Sequence, residues 1–85
     1  MKTRFFNVLS YKKTDSGLQA VVKYDGRLTF RQLDNRFKKV FQDKARLYYH
    51  YDLSYYFERD RDKDEHEYVP NFGTVCTSTI NYYIK

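Results

Sequence analysis

Few residues in this 85-residue chain are of types that could do catalytic chemistry, and they are scattered. His50, His66 and the single cysteine, Cys76, are the natural candidates for proton transfer or nucleophilic attack. A cysteine nucleophile needs an adjacent base and access to solvent. Nothing in the spacing around Cys76 supplies either, and its β-branched surroundings read as a strand with the thiol turned inward. His50 lies close to Tyr48 and Arg46, and alternation would put the three on one strand face. Those are residue types that small basic ribonucleases use without a metal, yet an acid–base pair needs a matched geometry that spacing does not supply. Asp62, Asp64, Glu65, His66 and Glu67 are donors suited to a hard divalent ion. Arg59, Arg61 and Lys63 are interleaved with them and offset their charge, and no EF-hand spacing is present. The chain has no P-loop, Gly-rich phosphate loop or nucleophile elbow. The expectation is a protein that binds rather than catalyses, with no cofactor and no metal.

Charge says more than catalytic spacing does. The formal net charge is +5, but residues 58–67, ERDRDKDEHE, hold six acids and three bases. The rest of the chain carries 13 bases against five acids, a strongly basic body with one acidic segment. Such a body attracts polyanions, or an acidic protein surface. Ten Tyr and seven Phe make up 20% of the residues. Tyr packs its ring while keeping its hydroxyl wet, which suits half-exposed sheet surfaces and binding faces. A single cysteine cannot form an intrachain disulfide, which fits a reducing compartment. No apolar run nears the ~20 residues of a membrane-spanning helix. The stretch after Lys2 and Arg4 is too short for a signal peptide. These features place the protein in a cytoplasm, that of a host if its origin is viral, with no membrane partner.

The elements that must position these residues follow from periodicity. One domain, 1–85, is expected. Residues 4–12 and 18–24 read as two strands joined by the turn Thr14–Gly17, with Leu18, Ala20, Val22 and Tyr24 on one face. Asp25-Gly26 is a second turn, where Gly26 can adopt positive φ at little cost. The period then changes. Thr29 and Gln32 form a capping box, and Phe30, Leu33, Phe37, Val40 and Phe41 form one apolar stripe, which predicts a helix over about 30–44. Arg31, Asn35, Lys38, Lys39 and Gln42 fall on its opposite face. Residues 45–57 alternate strictly and predict a long strand, followed by 58–67 as a hairpin turn. Pro70–Gly73 marks another turn, and 74–84 a last strand with Cys76, Ile80, Tyr82 and Ile84 on one face. The expected fold is α+β: an antiparallel sheet of four to five strands, in the order ββαββ or ββαβββ, packed against one helix.

Two functions fit this outline. The first is a small non-enzymatic nucleic-acid-binding accessory module, single-stranded or duplex partner left open. Arg31, Lys38, Lys39 and Arg46 would meet phosphates, Asn35 and Gln42 would read base edges, and Tyr48, His50 and Tyr56 would stack on bases from a sheet face. The alternative is a protein-binding inhibitor or adaptor of the kind phages and mobile elements use to block host proteins that handle nucleic acid. There the acids Glu58, Asp60, Asp62, Asp64, Glu65 and Glu67 would enter a basic groove of the partner. The oligomeric state is left open, a homodimer included.

Overall fold

The computed structural model describes residues 4–46 and 54–85. It contains β1 (Phe6–Thr14), β2 (Gly17–Asp25), α1 (Phe30–Ala45), β3 (Tyr55–Val69) and β4 (Gly73–Ile84). The strands form one antiparallel sheet in the order β1-β2-β4-β3, so the architecture is α+β with a single helix among the described residues. β4 pairs antiparallel with both β2 and β3, which therefore run parallel to each other. Parallel strands cannot be joined by a tight turn. The connection from β2 to β3 has to cross the sheet, and α1 lies on that crossing.

The apolar alternation of β2 decides which face the helix covers. Leu18, Ala20, Val22 and Tyr24 are buried and stand opposite Tyr82, Ile80, Ser78 and Cys76 of β4. Leu33, Phe37, Val40 and Phe41 of α1 close over them. The sequence places Phe30 in the same stripe, but Phe30 is 85% exposed. It is the first residue of the helix, beyond the edge of the sheet core that covers Phe37. The capping box forms as expected: Gln32 N–H donates to Thr29 Oγ1 at 3.2 Å, and Thr29 N–H donates to Gln32 Oε1 at 3.0 Å. Tyr82 is wholly buried and satisfies its hydroxyl by donating to the Phe37 carbonyl at 2.6 Å, which ties helix to sheet. No helix among the described residues is long and apolar enough to cross a membrane.

Three local expectations are corrected. The strand expected over 45–57 does not begin at 45: Ala45 ends the helix, Arg46 is its C-cap, and β3 starts at Tyr55. Residues 47–53 lie outside the described residues. The 58–67 segment is not a hairpin turn but the body of β3. The reversal comes at 70–72, within the turn expected at Pro70–Gly73: Asn71 takes a positive φ (66°), and Gly73, with φ 124°, opens β4. Charge marked 58–67 as a surface segment, but at an exposed sheet edge charge and strand are compatible. Finally, Gly26 is not in the positive-φ region. A Cβ there would lie 2.9 Å from the Thr74 carbonyl oxygen, so its constraint is close approach to β4.

Candidate nucleic-acid interface

On α1, the side facing away from the sheet carries Arg31, Asn35, Lys38, Lys39 and Gln42, all exposed, and Arg46 continues the line at the C-cap. At 3.6 residues per turn these positions form one ridge roughly 22 Å long, containing cations and amides but no acid. Acids flank it instead. Lys38 Nζ meets Asp34 at 2.9 Å and Lys39 Nζ meets Asp43 at 3.7 Å, each one helical turn away. The Asp34 carboxylate raises the Lys38 pKa above its ordinary value. Both pairs are solvent-exposed i,i+4 contacts and correspondingly weak, so a phosphate can displace them. Arg36, not among the residues singled out by periodicity, is exposed beside the ridge and has no ion-pair partner among the described residues. The helical wheel alone is enough to show it.

Tyr56 lies elsewhere. It stands opposite Tyr83, on the sheet face away from the helix, with ring centroids 4.9 Å apart and Lys85 Nζ 5.6 Å from its ring. The helix ridge and the Tyr56 platform are therefore on opposite sides of the molecule. The fold does not bring the two halves of the expected site together. Tyr48 and His50 lie outside the described residues.

The acids of β3 are ordered by an irregularity. Register shifts between Asp60 and Glu65, so three extra residues are absorbed and both flanking segments keep their faces. Glu58, Asp60, Glu65 and Glu67 consequently stand opposite the uncharged Asn81, Thr79, Thr77 and Val75 in succession. They form a ladder of carboxylates about 7 Å apart on the side away from α1. Asp62 and Asp64 fall within the irregularity: Asp62 N–H donates to Asp60 Oδ1 at 3.2 Å, and Asp64 is in ionic contact with Arg59 Nε at 3.1 Å without hydrogen-bond alignment. Lys63 Nζ approaches Asp60 at 3.9 Å.

Cys76 is buried, as its strand position implied, but it has a neighbour that sequence spacing concealed. His66 Nδ1 lies 3.0 Å from Cys76 Sγ, because the two residues are cross-strand partners in β3 and β4. Only the register of the hairpin could reveal this. The contact has the composition of a nucleophile and base, but burial pushes the thiol pKa up, with the nearby Asp64 carboxylate adding to the effect. A thiol held in its neutral form is a poor nucleophile. Among the described residues no group of three or more His, Cys, Asp or Glu is placed to hold a metal ion. Comparison with protein-family models, curated proteins and solved structures finds no match to this chain.

Proposed function

We propose that this protein is a non-enzymatic nucleic-acid-binding module that lays the outer ridge of α1 against a phosphate backbone. The observation that carries the reading is the ridge itself: Arg31, Lys38, Lys39 and Arg46 interleaved with Asn35 and Gln42, with no acid among them. Cations supply affinity through phosphates, and amides supply contacts to base edges. The carboxylate ladder is on the opposite face of the sheet, where distance and salt weaken its repulsion of a polyanion lying on the helix. Binding of a short labelled oligonucleotide across a salt series tests this. Lys38→Ala and Lys39→Ala should each weaken binding and reduce the slope of log affinity against log salt by about one unit per lost phosphate contact. Absence of oligonucleotide binding by the unmodified protein at low salt would refute the reading.

The ladder supports a second reading, in which β3 docks Glu58, Asp60, Glu65 and Glu67 into a basic protein groove. Recovery of one protein from a cytoplasmic lysate, unaffected by nuclease and lost when the four acids become amides, would favour it over the first.

A further inference from the structure

We infer that the groove between the first turns of α1 and the edge strand β3 receives the base of an unpaired nucleotide. This rests on the nucleic-acid reading above and narrows it to strands offering at least one unstacked base. The groove has a volume of about 400 Å³ and is lined by Phe30, Phe37, Glu58, Arg59 and Arg61. It is wide open to solvent, with phenylalanines on the helix side and charged residues on the strand side.

Phe30 is the feature that calls for an occupant. The other phenylalanines of α1, Phe37 and Phe41, are 6% and 3% exposed, whereas Phe30 is 85% exposed. It has no ring or cation partner among the described residues, and the capping box that starts the helix is formed by Thr29 and Gln32 without it. An uncovered ring at a groove wall is a stacking platform, and every base has a face to offer it. Arg61 is exposed and makes no ion pair among the described residues, leaving a guanidinium free for the nucleotide's phosphate. Arg59 is ion-paired with Asp64 and brings no net positive charge, so Arg61 is the cation that the wall offers a phosphate. Glu58 contributes to the strand-edge rim of the groove, while its register places its carboxylate with the ladder on the other side of the sheet. Arg31 follows Phe30 directly, so the first cation of the helix ridge lies about a quarter turn of the helix from the groove.

The test is an anisotropy titration with two probes: a labelled single strand carrying one 2-aminopurine, and a fully paired blunt duplex of the same length. The unmodified protein should bind the single strand and change the 2-aminopurine emission. Phe30→Ala and Arg61→Ala should each weaken single-strand binding roughly tenfold or more while leaving duplex binding within about twofold. Phe30→Tyr, which keeps a stacking ring, should retain binding. Because Phe30 is exposed, the melting temperature of Phe30→Ala should be unchanged, so a loss of binding is not a loss of fold. Wild-type-like single-strand binding by Phe30→Ala, or equal weakening on both probes, overturns the groove assignment and leaves the ridge reading standing. Failure of the unmodified protein to bind either probe at low salt overturns both.

Discussion

Asp25 ends β2 almost wholly buried, and its carboxylate accepts three hydrogen bonds from Arg27: from the backbone N–H at 2.9 Å, from Nε at 3.0 Å and from Nη2 at 2.7 Å. The Arg27 guanidinium holds the Asp25 pKa at about 2, against the opposing effect of burial. A pKa lowered by folding contributes stability that is complete above the ordinary carboxylate range. That stability is lost as pH falls from about 4 through about 2. Asp25→Asn should therefore cost about 1–3 kcal/mol at pH 7, and the gap in melting temperature from the unmodified protein should close below pH 4. A gap that stays constant down to pH 2 would show that the carboxylate's charge is not what stabilises this corner. Cys76 makes a complementary prediction. Burial and a raised pKa should make native labelling by thiol reagents slow and labelling in denaturant fast. Rapid native labelling would mean that the His66 contact activates the thiol after all.

The helix offers two phenylalanines at positions the sequence treats alike. Phe37 is buried and touches the rings of Phe6, Tyr24 and Phe57. Phe30 stands clear of that cluster. Phe37→Ala should cost roughly 3–5 kcal/mol, a large share of the stability of so small a domain, whereas Phe30→Ala should change stability by less than about 0.5 kcal/mol. Urea denaturation of the two variants checks both values, and equal losses would mean that Phe30 packs in solution. Along the strands, Gly17 illustrates a constraint of a different kind. A Cβ at Gly17 would fall 2.2 Å from the Tyr82 carbonyl oxygen, so even alanine forces β2 and β4 apart at that point.

At the scale of the whole molecule, charge is sorted by topology. The basic helix ridge lies on one side of the sheet, while β3 brings its acids to an outer edge and turns four of them to the other side. This separation yields a discriminating experiment. Converting Glu58, Asp60, Glu65 and Glu67 together to their amides should leave oligonucleotide binding intact or tighten it, because long-range repulsion of phosphates is removed. The gain should fade as salt rises, since surface charges more than about 8–10 Å apart are screened at physiological ionic strength. Weakened oligonucleotide binding would place these acids in the interface, contrary to the ridge model.

Local periodicity makes much of this molecule legible from the order of its residues. The capping box and the 3.6-residue repeat locate α1, a short apolar run locates β1, and two-residue alternation locates β2 and the inward face of β4. The inward position of Cys76 and the outward position of Arg31, Asn35, Lys38 and Lys39 follow from the same rules, because a regular element assigns faces by counting. Counting alone does not say where an element meets the edge of its partner, and so it places Phe30 in the core with Phe37. Nor does it distinguish a charged edge strand from a charged turn: both are solvated, and only pairing with β4 makes residues 58–67 a strand. The His66–Cys76 contact, the carboxylate ladder and the groove beside Phe30 all depend on register and on packing between elements distant in sequence. The helix ridge is therefore written in the sequence, whereas its separation from Tyr56 and from the acids is decided by the crossing of α1 over the sheet.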